Sequence, residues 1–261
     1  MQKARVLNPA TGPFAGIVVL FIIGLALEVA TRSHLIDTRF FPVPTVVLGN
    51  LGQLLFFNAD FRLHLEASFL RLSLGVLLAC TTSLLVLVAA ALSPMARQFM
   101  NGFTALLYPL PKSALLPFLF LLIGLSNLSH IVLIALGCAT LLLTTLDAGL
   151  TRLRQAGYLE LARVLGLSKR QLLGKVILPG LVPEVLNGLK LGVSYSIVLL
   201  IVSEMMATRY GWGVMMWTSW DQFKIVDLYS VFYLLSFSGL LLFGFFGFLA
   251  EVAAEPQRGL L

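Results

Sequence analysis

The residues with the clearest functional pattern lie in one polar stretch, residues 158–179, within an otherwise apolar chain. The pattern is E-x-A-x-x-x-G followed by L-P, and its residues are Glu160, Ala162, Gly166, Leu178 and Pro179. An acid near a helix N-terminus and apolar side chains at helical spacing suit a short helix that enters a groove on another protein. The same periodicity suits an amphipathic helix lying on lipid headgroups, with its basic residues facing phosphates.

Two short helices can be placed in this stretch. The first covers residues 158–165, and Gly166 ends it as a C-cap residue. Its apolar face consists of Leu161, Val164 and Leu165. Ser168 opens the second helix, and Gln171 follows it at the spacing of a capping box.

A second set of candidates consists of ionisable residues inside apolar segments, where charge is costly and usually paired or functional. They are Glu28, Lys112, Lys190 and Glu204. Glu28 and Lys190 are near the ends of apolar runs, so their side chains can reach the membrane interface. Lys112 and Glu204 are our candidates for a translocation pathway, together with the polar Ser196 and Ser203. The competing interpretation is a structural ion pair or a polar contact between helices.

Motifs for catalysis, nucleotide binding and metal binding are missing from the sequence. There is no G-x-x-x-x-G-K-[ST] loop, because Gly174-Lys175 is followed by valine. No H-E-x-x-H and no G-x-S-x-G occurs, and we expect His34, His64 and His130 to be surface residues. The sequence therefore predicts no catalytic residue, no metal site and no cofactor, and any ATP must be bound by a separate subunit.

The composition indicates a membrane protein. Of the 261 residues, 59% are hydrophobic and 11% are charged, whereas an ordinary soluble domain is roughly 45–50% apolar and about 25% charged. A soluble fold of this length could not bury so much apolar surface, so lipid must be the solvent. The formal charge of +6 fits the positive-inside bias of membrane proteins, and we do not expect nucleic-acid binding.

The apolar runs predict an all-α integral membrane protein with about six transmembrane helices, forming a single domain over residues 1–261. The predicted spans are Phe14–Ala30, Leu72–Leu92, Phe103–Ile123, Ile131–Leu146, Val185–Met206 and Tyr229–Ala250. The third is interrupted by prolines, and the fourth is short enough that its ends should extend. Residues 46–57 predict an amphipathic helix at the membrane surface.

The distribution of basic residues predicts the orientation. With both termini in the cytoplasm, ten lysines and arginines lie on the cytoplasmic side and six on the outer side or its boundary. Lys3 and Arg5 contribute at the N-terminus and Arg258 at the C-terminus. Most of the bias comes from a long polar loop, about residues 148–183, which contains the opening stretch.

The stretch around Glu160 resembles the E-A-A…G signature of ABC importer permeases, the inner-membrane subunits of binding-protein-dependent transport systems. Glu160, Ala162, Gly166 and the Leu178-Pro179 pair match, whereas Leu161 stands where the family has alanine. The resemblance covers roughly residues 41–250. It includes FPVPTVVL at 41–48, YPLPKSALLPFLFLLIGLS at 108–126 and SEMMA at 203–207. These segments resemble the subgroup that imports nitrate, taurine and alkanesulfonates, and which also handles bicarbonate and thiamine precursors.

The resemblance implies a type I ABC importer permease fold with a cytoplasmic coupling helix that sits in a cleft of an ATPase subunit. The coupling residues would be Glu160, Leu161, Ala162, Leu165 and Gly166. The implied partners are two ATP-binding ABC subunits, a periplasmic or extracellular solute-binding protein and a second permease copy that completes a homodimer. The implied location is the bacterial inner membrane.

The solute implied by this subgroup is a small organic or inorganic anion such as a sulfonate, taurine or nitrate. A thiamine-precursor-like molecule or another small nutrient is the alternative. An ATPase-independent channel and a membrane enzyme are more remote alternatives. An enzyme should show clustered catalytic residues at the membrane edge, and a channel needs no ATPase dock.

Overall fold

The fold is built from long apolar helices that end at proline, glycine and serine. The computed structural model describes the backbone of residues 11–258 and the side chains of residue 16 and residues 18–254. All regular structure in this part of the chain is helical, which confirms the predicted all-α class. The helices are α1 (Thr11–Arg32), α2 (Pro44–Phe57), α3 (Ala59–Leu92), α4 (Pro94–Leu107), α5 (Leu116–Ile123), α6 (Asn127–Gln155), α7 (Tyr158–Val164), α8 (Lys169–Leu172), α9 (Leu178–Gly180), α10 (Val182–Ala207), α11 (Trp212–Asp221) and α12 (Ile225–Arg258).

Within the described residues, four helices are long and apolar enough to cross a membrane. They are α3, α6, α10 and the Ile225–Ala254 part of α12. A fifth span is obtained if α4 and the following segment Lys112–Ile123 form one broken crossing. The predicted first span coincides with α1, a helix of 22 residues. The N-terminal segment with Lys3 and Arg5 and the side chain of Arg258 lie outside the described residues.

The lengths of α6 and α2 agree with the sequence-based expectations. The fourth predicted span extends at both ends, because α6 contains 29 residues and so reaches beyond a hydrocarbon core of about 30 Å. In contrast, α2 has 14 residues and is too short to cross that core, as expected for the predicted surface helix.

The predicted third span is two helical segments separated by a bend of 93°. Pro109 and Pro111 cause the break, because proline has no backbone N–H and disfavours helical geometry in the residue before it. The first segment, α4, begins earlier than predicted, at Pro94, where Ser93 is the N-cap and accepts a hydrogen bond from the Ala96 N–H at 3.4 Å. A 3₁₀ turn at Lys112–Leu115 leads into α5.

The chain divides into two compact units. The first contains the described residues up to Phe61 together with Met216–Leu234. In this unit the Thr45 N–H, near the start of α2, donates to Glu28 Oε2 at 3.0 Å. Asn50 of α2 donates to Asp227 Oδ1 of α12 at 2.8 Å. Polar contacts from α1 and α12 therefore position α2.

The second unit contains Arg62–Met215 and the described residues from Leu235 onward, and α6 lies at its centre. α10 packs along α6 so closely that a Cβ on Gly188 would collide with Leu142 and Thr145 of α6. Leucines of α6 continue this core to the segment that follows it. The cluster consists of Leu87, Leu142, Leu146, Leu150, Leu153, Ile177 and Leu181.

Candidate functional site

The central polar loop is shorter than its predicted bounds of about 148–183, because α6 continues to Gln155 and α10 begins at Val182. It contains α7, α8, a π-helical turn at Leu173–Ile177 and α9. The predicted capping box of the second short helix is confirmed. The Gln171 N–H donates to Ser168 Oγ at 3.3 Å, and the Ser168 N–H donates to Gln171 Oε1 at 2.9 Å.

Gly166 sets the turn between α7 and α8. Its φ of +68° is in the left-handed region, which costs other residues roughly 1–2 kcal/mol. The Gly166 N–H donates to the Arg163 carbonyl, and the Leu167 N–H donates to the Ala162 carbonyl, both at 3.0 Å. These two hydrogen bonds form a Schellman motif in which Gly166 follows the C-cap residue Leu165, so the prediction that Gly166 ends this helix is confirmed.

The predicted docking residues of α7 divide into exposed and buried groups. Leu161 is 55% exposed, Val164 84% and Leu165 67%, so these apolar side chains form one open face. Glu160 is exposed as well. Ala162, in contrast, is 3% exposed and packs inside the chain, so its side chain is not available to a partner. Four exposed cations follow along the loop: Arg163, Lys169, Arg170 and Lys175.

A buried ionic site forms around Glu204, which lies in the last turn of α10 and is 0% exposed. Arg71 Nη1 of α3 contacts Glu204 Oε1 at 2.7 Å. Ser68 Oγ of α3 donates to the same carboxylate at 2.8 Å, and the Gly213 N–H donates to Oε2 at 3.0 Å. The carboxylate is therefore fully satisfied by groups within the second unit.

Arg71 connects several segments of this unit. Its Nε donates to Asn127 Oδ1, at the start of α6, at 2.9 Å, and its Nη1 donates to the Tyr210 carbonyl at 2.7 Å. Arg71 was not singled out from the sequence as a partner of Glu204. The sequence nevertheless contained a signal for the pairing of Arg71 with Glu204. A glutamate in an apolar segment needs a cation, and Ser68 and Arg71 are three residues apart on one helix face.

Lys112 occupies the bend after α4 and is 5% exposed. Its Nζ donates to the Leu107 carbonyl at 2.9 Å and lies 3.5 Å from the carbonyls of Tyr108 and Leu110. A cation is favourable at these carbonyls because they carry the negative end of the helix dipole. Lys112 forms no ion pair with a described carboxylate.

The structure does not bring Lys112 and Glu204 together as an ion pair, since Glu204 pairs with Arg71. Ser196 and Ser203 are both fully buried, and Ser203 Oγ donates to the Leu200 carbonyl at 2.9 Å. All four pathway candidates thus lie inside the chain in this conformation, and their role in a pathway stays a prediction. The prediction that His130 lies at the surface is wrong, because His130 is buried and its ring makes a T-shaped contact with Phe120.

Membrane-length helices joined by a polar loop with an open apolar face indicate an integral membrane protein. Residues 75–256 match the family described as "Binding-protein-dependent transport system inner membrane component". The match covers more than half of the chain, so the chain belongs to this family of ABC transporter permeases and has the type I permease fold. It is a transport subunit and not an enzyme.

Three relatives illustrate the similarity. The chain is 33% identical to the taurine transport system permease protein TauC of Escherichia coli over 186 residues, or 70% of this chain and 67% of the relative. It is 28% identical to the putative aliphatic sulfonates transport permease protein SsuC of Bacillus subtilis over 204 residues, covering 78% and 73%. It is 26% identical to the nitrate import permease protein NrtB of Synechococcus elongatus over 229 residues, covering 84% and 81%.

Proposed function

We propose that this chain is the permease subunit of an importer for a small anion, and that its central loop receives the movement of an ATPase. The observation that carries the proposal is the open apolar face of α7 in an ABC permease whose sequence has no phosphate-binding loop. ATP must then act from another subunit, and the exposed loop is where that subunit can bind.

The coupling surface, as we define it, combines the apolar face of α7 with the charged residues around it. Its residues are Glu160, Leu161, Arg163, Val164, Leu165, Gly166, Lys169, Arg170 and Lys175. The apolar side chains suit a groove that desolvates them, and four cations against one acid suit an acidic rim on the partner. Anionic headgroups would attract the same cations, and membership of a binding-protein-dependent transport family favours the protein partner over lipid.

The assembly follows from the number of coupling surfaces. Two ATPase subunits that close on each other need two coupling surfaces, and each permease chain has one. A homodimer of this chain therefore completes the importer, with the pathway between the copies and a solute-binding protein on the outer side. We infer from the cations of the coupling surface that it faces the cytoplasm, and we propose that both termini lie on the same side of a bacterial inner membrane.

The proposed solute is taurine or a related sulfonate, because a taurine permease is a relative at 33% identity. Lys112 supports an anionic solute, since it is a buried cation without a described carboxylate partner. A thiamine precursor is the second candidate, because the formylaminopyrimidine transport permease protein ThiX of Halalkalibacterium halodurans is 26% identical over 193 residues.

Transport in proteoliposomes tests this proposal. The chain is purified with its ATPase and reconstituted with its binding protein, and uptake of labelled taurine, ethanesulfonate, nitrate and formylaminopyrimidine is measured with and without ATP. We expect ATP-dependent uptake of a sulfonate. Uptake of formylaminopyrimidine alone would favour the second candidate, and a chain that binds no ATPase and transports without ATP would contradict both.

Lys112→Ala should lower anion uptake at least about tenfold, because a hydrogen bond to a charged group contributes about 1.5–3 kcal/mol. The measurement is ATP-dependent uptake by the reconstituted complex, after gel filtration has confirmed that the complex assembles. Lys112→Arg is the matched control, since it keeps the charge and the donors to the carbonyls at the end of α4. Wild-type uptake by the alanine variant would remove Lys112 from the pathway.

A further inference from the structure

We propose that α6 and α10 move as one body whose two ends are held by Arg152–Glu184 and by Arg71–Glu204, and that these arginines are positioning residues for coupling. The inference rests on the proposed docking of an ATPase at the coupling surface. The loop that carries this surface joins the C-terminus of α6 directly to the N-terminus of α10. A force applied to the loop therefore reaches both helices first.

The loop end of the helix pair is closed by Arg152. Its Nη2 contacts Glu184 Oε1, in the first turn of α10, at 2.7 Å. The same nitrogen donates to the Gly180 carbonyl at 3.2 Å. The guanidinium of Arg152 thus connects the last turn of α6 to the residues at which the loop ends and α10 begins.

The opposite end is closed by Arg71 of α3. Its guanidinium binds Glu204 in the last turn of α10 and Asn127, the first residue of α6. Glu184 and Glu204 are separated by about 30 Å along α10, at 1.5 Å per residue, which equals the thickness of the hydrocarbon core. The two ionic contacts therefore lie near the two faces of the membrane, where charge costs less than at its centre.

Between these ends the helices are in close contact, and Ser196 Oγ of α10 donates to the Ile134 carbonyl of α6 at 3.5 Å. A Cβ on Gly192 of α10 would lie 2.7 Å from Cys138 Sγ of α6. At Gly137 of α6 an added Cβ would collide with Leu199 of α10. Small residues allow helices in a membrane to approach this closely. Close-packed interfaces deform little, so sliding of α10 along α6 would have to break contacts along the whole length.

This arrangement gives the two ion pairs a role in coupling in addition to their role in stability. If both ends of the α6–α10 pair are fixed, a displacement of the coupling surface moves the loop end of the pair and the opposite end together. If one end is released, the loop can move without α6 and α10 following together. ATP hydrolysis would then continue while less solute is transported for each ATP.

The test measures taurine uptake and ATP hydrolysis by the same proteoliposomes of the complete importer. Arg152→Ala and Glu184→Ala should each lower taurine transported per ATP by roughly fivefold, the lower range of measured coupling effects. The double variant Arg152→Glu with Glu184→Arg should restore the ratio to within about twofold of wild type, because it rebuilds the ion pair. Arg154→Ala is the matched control, an exposed arginine on α6 that forms no ion pair with a described residue.

Glu204→Gln tests the Arg71–Glu204 contact with little change in side-chain volume. It should lower the taurine transported per ATP while ATP hydrolysis continues. The proposal is overturned if the single variants keep the wild-type ratio, or if the double variant stays as low as the single variants in an assembled complex. Failure of the proposed function is recognised separately, because wild-type proteoliposomes would then bind no ATPase or would take up taurine without ATP. The proposal is also overturned if Arg154→Ala lowers the taurine transported per ATP as much as Arg152→Ala does.

Discussion

Arg71→Ala should destabilise the protein by about 3–5 kcal/mol, the cost of removing one partner of a buried ion pair. Glu204 would remain at 0% exposure with its charge uncompensated. Asn127 Oδ1 would lose the donor Arg71 Nε, and the Tyr210 carbonyl would keep Thr208 Oγ1 but lose Arg71 Nη1. We expect a lower yield of folded protein in detergent and a lower midpoint in thermal unfolding followed by tryptophan fluorescence.

The control for this result is Arg62→Ala. Arg62 is an exposed arginine on the same helix and forms no ion pair with a described side chain, so its loss should leave the midpoint nearly unchanged. The double variant Arg71→Met with Glu204→Gln should recover part of the lost stability, because no charge stays buried. An unfolding midpoint equal to wild type in Arg71→Ala would contradict the buried network.

Leu161→Asp should abolish stable binding of the ATPase subunit. Leu161 is 55% exposed on the apolar face of α7, and an anchor residue at an interface centre contributes about 2 kcal/mol or more. A loss of 2 kcal/mol is roughly thirtyfold in affinity, and the new carboxylate would also face the acidic rim that we infer on the partner. The measurement is co-purification of the ATPase, followed by its affinity for the reconstituted permease.

Two further variants separate docking from folding. Leu35→Asp places the same change on an exposed leucine between α1 and α2 and should leave the ATPase bound. Leu161→Ala restores the residue that the family has at this position, and we expect it to keep the ATPase with changed affinity. If Leu161→Asp binds the ATPase as tightly as wild type, α7 is not the docking helix.

Local patterns predicted much of the loop. Gly166 at the end of α7 and the Ser168–Gln171 capping box follow from chemistry within a few residues, and both occur as predicted. The break near Pro109 and Pro111 is equally local, since proline removes a donor and restricts its neighbour. The bend of 93° was not predictable, because its size depends on the packing of both segments.

The sequence by itself determined that this is an all-helical membrane protein of the ABC permease family, because apolar length, basic bias and the spacing around Glu160 are properties of the chain alone. Only the tertiary structure decided which polar groups meet. It paired Glu204 with Arg71, which is 133 residues away, gave Lys112 the carbonyls at the end of α4, and buried Ala162 while Leu161 stayed open. Such pairings depend on which helix faces become neighbours, and periodicity within one helix carries no information about its neighbour.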